Sequence, residues 1–96
     1  MSDVINEAVA ALNAKLPDGF SGGTAKFSIE GEGAVVIDGT GARASDEETD
    51  VTLTADAETF ASLMEGDLDP TAAFMQGKLA VDGDMGMAMQ LGAALG

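Results

Sequence analysis

The sequence contains no cysteine, no histidine, no tryptophan and no tyrosine. Without cysteine there can be no disulfide, no thiolate nucleophile and no Cys-based zinc site. Without histidine the commonest general base, the Ser–His and Cys–His pairs and the commonest metal ligand are gone. Cations are scarce: Lys15, Lys26, Arg43 and Lys78 face 17 acids, for a net charge of −13. Such a surface repels nucleic-acid phosphates, and it repels anionic headgroups, so neither nucleic-acid binding nor stable membrane anchoring is expected. No apolar run approaches the roughly 20 residues of a membrane span. The opening Met-Ser-Asp-Val-Ile-Asn-Glu lacks the features of a secretory signal, the closing Ala-Ala-Leu-Gly is no receptor-read address, and a cytoplasmic location is expected.

What is present is a normal hydrophobic fraction, 46% of 96 residues, drawn from Ala, Val, Leu and six Met, with Phe as the only aromatic. Methionine is flexible and fills irregular space, so it suits a surface that must fit varied shapes. The length suits one domain, expected to span residues 1–96.

Along the chain the period of the apolar residues changes twice. Ile5, Val9, Leu12 and Leu16, with Ala8 beside them, recur at helical spacing after a capping Ser2, and Pro17-Asp18-Gly19 ends that helix. Phe27 and Ile29 alternate with polar neighbours as a half-buried strand. Ala34–Asp38, a short Ala42–Ser45 segment and Val51–Ala55 read as further strands. Glycine-bounded turns between them predict an antiparallel meander. Helices then return. Asp56 caps one carrying Phe60, Leu63 and Met64 on one face, which Gly66 stops. Asp69-Pro70 opens another with Phe74 and Met75, ended by Gly77. Leu79-Ala80-Val81 is a last strand, Gly83 a turn, and Asp84 the cap of a final helix from Met85 to Leu95.

That last helix carries the functional signal. It has no charge, and Gln90 is its only polar side chain. A helix apolar on all sides is expected to be enclosed. Met85, Met89 and Gly92 lie along one side, and Met87, Leu91 and Ala94 along another. The second side has three candidate partners: the protein's own core, a ligand in an apolar cavity, or a second subunit. Gly86 and Gly92 either loosen the helix, at about 1 kcal/mol each relative to Ala, or permit close backbone packing.

Residues 50–91 resemble the sterol carrier protein 2 domain family. The resemblance rests on Asp50-Val51-Thr52-Leu53-Thr54, on Phe60-Ala61-Ser62-Leu63-Met64-Glu65-Gly66, and on Leu68-Asp69-Pro70-Thr71-Ala72-Ala73-Phe74-Met75-Gln76-Gly77-Lys78-Leu79. It continues through Val81-Asp82-Gly83-Asp84-Met85 to Leu91. It implies an α+β fold: a five-stranded mixed, mainly antiparallel sheet with helices packed on one face over a hydrophobic tunnel. It further implies a carrier without cofactor that binds fatty acids, fatty acyl-CoA, sterols or phospholipids. Carried over by position, the tunnel wall comprises Phe60, Leu63, Met64, Phe74, Met75, Leu79, Met85, Met89 and Leu91. Animal members of the family are basic and carry a peroxisomal signal; this acidic chain looks more like a stand-alone bacterial version. Lys78 reads either as the partner of an anionic headgroup or as a solvated strand-edge lysine.

The remaining motifs carry little chemistry. The acidic run Asp46–Asp50 lacks the ligand spacing of a calcium loop, so no metal site is expected. No glycine turn is followed by the Lys-Ser or Lys-Thr of a phosphate loop, and no hydroxyl has a histidine to activate it. No catalytic residue is expected. The alternative to a lipid carrier is an interaction module whose last helix forms a homodimer or docks on a partner enzyme.

Overall fold

The structure, a computed structural model, describes residues 3–20 and 22–95. The expected cap Ser2 lies outside the described residues. Helix α1 (Asp3–Lys15) buries Ile5, Ala8 and Leu12, with Val9 and Leu16 half-buried beside them, as the 3.6-residue stripe requires. Five strands follow the expected order: β1 (Ala25–Ile29), β2 (Gly33–Asp38), β3 (Gly41–Ala44), β4 (Val51–Ala55) and, after two helices, β5 (Ala80–Gly83). They form one sheet in the order β3-β2-β1-β4-β5.

One pairing departs from the expected meander. β1, β2 and β3 are antiparallel neighbours, but β4 crosses to the far side of β1 and pairs with it in parallel. The burial pattern gives the reason. β1 and β4 share the same alternation of buried and half-buried residues, whereas β3 is mostly small or exposed. Setting β1 against β4 brings the richest apolar stripes together at the sheet centre and leaves the poor strands at its edges. In register, Ala25, Phe27 and Ile29 align with Val51, Leu53 and Ala55 on one side, and with Ile37, Val35 and Gly33 on the other. This face carries the core, and every helix contributes buried residues to it, among them Leu12, Phe60, Ala73 and Leu91. The rings of Phe27 and Phe60 meet edge to face, with centroids 5.3 Å apart.

The opposite face of the sheet is polar and bears Lys26, Thr52, Val36 and Arg43 in register. The acidic segment 45–50 crosses it. Lys26 Nζ lies 3.0 Å from Asp46 Oδ1, and Arg43 bonds both Asp38, at 2.8 Å, and Glu47. Half of the chain's cations are thus spent pinning acids on this side. Hydrogen bonds from the Thr40 hydroxyl, and then from Arg43, hold the Asp38 carboxyl at about 2, below its ordinary 3.8. Its folded value is the depressed one, so this contribution to stability is complete above roughly pH 4 and is lost as pH falls toward 2. Asp38→Asn is expected to flatten the acid limb of a urea-unfolding series over that window. An unchanged limb would show the network to be energetically silent.

Candidate functional site

The second half of the chain places its helices by caps. Asp56 Oδ1 accepts the Thr59 N–H at 2.7 Å and starts α2 (Ala57–Glu65), which Gly66 ends in the left-handed conformation. Asp69 Oδ2 accepts the Ala72 N–H at 3.3 Å and Pro70 opens α3 (Pro70–Met75). Asp84 Oδ1 accepts the Met87 N–H at 3.1 Å and starts α4 (Met85–Leu95).

The start of α4 is fixed by a junction centred on Asp50. Its Oδ2 accepts from the Thr24 N–H and hydroxyl, both at 3.2 Å, and its carbonyl accepts the Asp84 N–H at 3.1 Å. Gly83 makes that last bond possible. It sits at φ +105°, and a Cβ there would lie 2.4 Å from the Asp50 carbonyl oxygen. Further along, the site of a Gly92 Cβ is 3.3 Å from Pro70 Cβ, so the backbone of α4 passes close against the first turn of α3. Close packing therefore accounts for this helical glycine.

Between α3 and α4, over the β4–β5 edge of the sheet, lies a groove of about 310 Å³. Leu53 and Val81 line it from the strands. Pro70, Thr71, Phe74, Met75 and Leu79 line it from α3 and the segment after it, and Met85, Ala88, Met89 and Gly92 from α4. None of these side chains ionises, and only Thr71 carries a polar atom. Where the resemblance implies a tunnel, the apolar space here is open to solvent. Met75 is 80% exposed, Met89 72%, Met85 46% and Phe74 43%.

The expectation that α4 is enclosed on all sides is thereby corrected. Met87, Ala88 and Leu91 are buried, but Met85 and Met89 face outward. The helix has a wet side that is apolar in composition, because the groove beneath it is neither filled by protein nor closed over.

The nine residues proposed for a tunnel wall fall into three groups. Phe74, Met75, Leu79, Met85 and Met89 converge on the groove. Leu63 and Leu91 are buried in the core and do not line it. Phe60, also buried, and Met64 border a second groove of about 240 Å³ between α1 and α2, with Val4, Ala8 and Ala61. Sequence reasoning missed Leu53, Val81, Pro70, Thr71, Ala88 and Gly92. The signal for Leu53 and Val81 was available, since both stand on the apolar face of their strands. That for Gly92 lay in its contact with Pro70, a tertiary fact. Lys78 lies outside the groove, in a polar cleft of about 420 Å³ that also includes Glu30, Asp56 and Glu58. It contributes to the lowering of the Asp56 carboxyl, after the hydrogen bonds from Thr59.

Comparison with known proteins now bears on this arrangement. The model of the SCP-2 sterol transfer family matches residues 5–96. The chain belongs to that family. It is 38% identical to sterol carrier protein 2 of Gallus gallus over 80 residues, which make up 80% of this chain but 14% of the chicken protein. The chain therefore corresponds to a small part of that longer relative.

Solved structures agree on the sterol carrier fold. The sterol carrier protein domain 2 of Helicoverpa armigera superposes with a TM-score of 0.75 at 27% identity, covering 96% of this chain and 84% of that one. Sterol carrier protein 2 of Aedes aegypti, solved in complex with palmitate, superposes with a TM-score of 0.76 at 23% identity, covering 99% and 96%. The five-stranded mixed sheet with its helices is the family's architecture, and the sheet remains open at both edges.

Proposed function

We propose that this chain, acting as a single binding unit, holds the apolar part of an amphiphile in the groove between α3 and α4. One observation carries the reading: four large apolar side chains, Phe74, Met75, Met85 and Met89, stand exposed around one uncharged groove. Exposed apolar surface gathered at one concave place marks a binding site, and methionine suits ligands of varied shape. The driving force is burial of methylenes, about 0.8 kcal/mol each, from which the entropy of association and ordering is subtracted. A chain of about 12–16 methylenes contributes about 10–13 kcal/mol before that subtraction, enough for useful affinity without a specific polar contact, so breadth over chain type is expected. Family membership and the palmitate-bound mosquito protein of the same fold support the reading. A groove whose one polar side chain is Thr71 offers binding rather than catalysis. Among the described residues no helix is long and apolar enough to cross a membrane.

Methionine-methyl NMR tests the location. With methyl-labelled protein, titration with decanol is expected to shift Met75, Met85 and Met89 and to leave Met64, on the other groove, in place. Shifts at Met64 alone would move the site to the α1–α2 groove; no saturable shift at any methionine would remove the ligand reading. Solvent extraction of purified protein, followed by mass spectrometry, then identifies any co-purified lipid. The same exposed face could instead seat a second copy, and size-exclusion profiles across concentrations distinguish that case.

A further inference from the structure

We infer that the groove is also a modification site: a peroxide oxidises its exposed methionines to sulfoxides, and the oxidised groove releases its alkyl cargo. This rests on the groove being the lipid site and concerns what the sulfur atoms lining it can undergo.

Methionine is the one readily oxidised residue type in this chain, because cysteine, histidine, tryptophan and tyrosine are all absent. A peroxide finds no thiolate here to consume it first and acts on thioethers alone. There are six, and their surroundings differ. Met1 lies outside the described residues. Met87 is 8% exposed, with its terminal methyl against Gly23, and Met64 is half-buried on the α1–α2 groove. Met75, Met85 and Met89 are exposed, and all three line the groove between α3 and α4. Oxygen transfer requires the peroxide to touch sulfur. Among the described residues, the sulfurs it reaches most easily are therefore gathered at the binding site.

The step balances with the peroxide as its only co-reactant. The sulfur lone pair attacks one peroxide oxygen, the O–O bond breaks as the S–O bond forms, and the second oxygen leaves as water. Sulfur is oxidised by two electrons and the peroxide reduced by two. The product is a polar acceptor in place of an apolar thioether. In the free protein it is solvated, since Met75 and Met89 face outward, and the fold is little affected. An alkyl chain in the groove removes that water, and the lining offers one polar side chain, Thr71, in return. A polar group left unmatched against methylenes lowers affinity about tenfold or more. Protection runs the other way: cargo covering these sulfurs keeps peroxide off them. A thiol-dependent methionine sulfoxide reductase restores the thioether, with the oxygen leaving as water and two thiols joining as a disulfide.

The test treats the protein with hydrogen peroxide, with and without equimolar palmitate. Peptide mass spectrometry reads the oxygen gained at each methionine, and equilibrium dialysis with radiolabelled palmitate reads binding. Met75 and Met89 are expected to gain oxygen well before Met87, and palmitate to slow them while leaving Met64 unaffected. Palmitate affinity then falls about tenfold or more at unchanged circular dichroism, and returns after reductase treatment. The triple variant Met75→Leu, Met85→Leu, Met89→Leu keeps the groove apolar and binds palmitate alike before and after peroxide. The double variant Met75→Gln, Met89→Gln imitates the sulfoxides and binds weakly without peroxide.

Unchanged palmitate affinity in protein carrying sulfoxide at Met75 and Met89 would overturn the inference. So would an equal loss in the triple leucine variant, which would trace the effect to Met64 or Met87. In both cases the groove remains the lipid site as long as palmitate binds the untreated protein and shields Met75 and Met89. If the untreated protein binds no palmitate, or binds it without shielding them, the groove reading itself falls and the inference with it.

Discussion

Met89→Asp is expected to leave the fold intact and to lower the affinity for an alkyl ligand at least tenfold. Met89 is 72% exposed in the free protein, so the carboxylate is solvated there and the cost to the helix is a few tenths of a kcal/mol. A ligand lying in the groove removes that solvent. The unpaired carboxylate must then be desolvated against methylenes, a penalty of several kcal/mol that a weak apolar ligand cannot offset. Met87→Asp, one helical side away, provides the contrast. Met87 is buried, and its terminal methyl presses on Gly23, so the same charge there is expected to unfold the protein. Thermal melts and ligand titrations of the two variants decide the matter. Met89→Asp binding like the parent protein would place the lipid elsewhere, and its early melting would show that Met89 supports the core.

Gly83→Ala is expected to cost about 3 kcal/mol or more of folding stability, measured as a shift in the urea midpoint at unchanged slope. The substituent would lie 2.4 Å from the Asp50 carbonyl oxygen, on a backbone at φ +105° that an L-residue rarely adopts. Relief requires moving either β5 or the Asp50 carbonyl. That carbonyl holds the Asp84 N–H, and the same residue's carboxylate holds Thr24. Displacing it loosens the start of α4 together with the edge of the sheet. Against a total of about 5–15 kcal/mol for a domain of this size, such a loss is severe. A variant as stable as the parent would mean the junction can relax without loss.

These effects also mark where sequence was informative. Caps are local chemistry: Asp56, Gly66, Asp69-Pro70 and Asp84 each bound a helix within a residue or two of the expected place. The alternation of Val51, Leu53 and Ala55 fixes β4 and its buried face. The partner of β4 is a different matter. Pairing with β1 joins residues 26 apart, as Ala25 with Val51, and no turn between them announces it. β5 begins one residue later than expected and runs to Gly83, because Leu79 turns into the core before the ladder starts.

The wet side of α4 was illegible for another reason. Sequence marks solvent by polarity, and a binding surface is wet in the free protein yet apolar in composition. Met85 and Met89 therefore read as enclosed, while their actual neighbours, Leu53 and Val81, come from strands distant in sequence. The family resemblance brought five of the groove residues together. It also included Leu63 and Leu91, which the core claims.

The parallel strand pair at the sheet's centre has a consequence for how the molecule comes into being. β1 meets β4 only after the intervening hairpins have been drawn into a loop, and such long-range closure is slow and entropically costly. Everything that builds the groove, from Leu53 through Gly92, belongs to β4 or follows it in the chain. Cargo thus has nothing to hold until that closure is complete. A bound lipid is expected to prolong the life of the finished molecule by slowing its unfolding, and to do nothing to hasten its assembly.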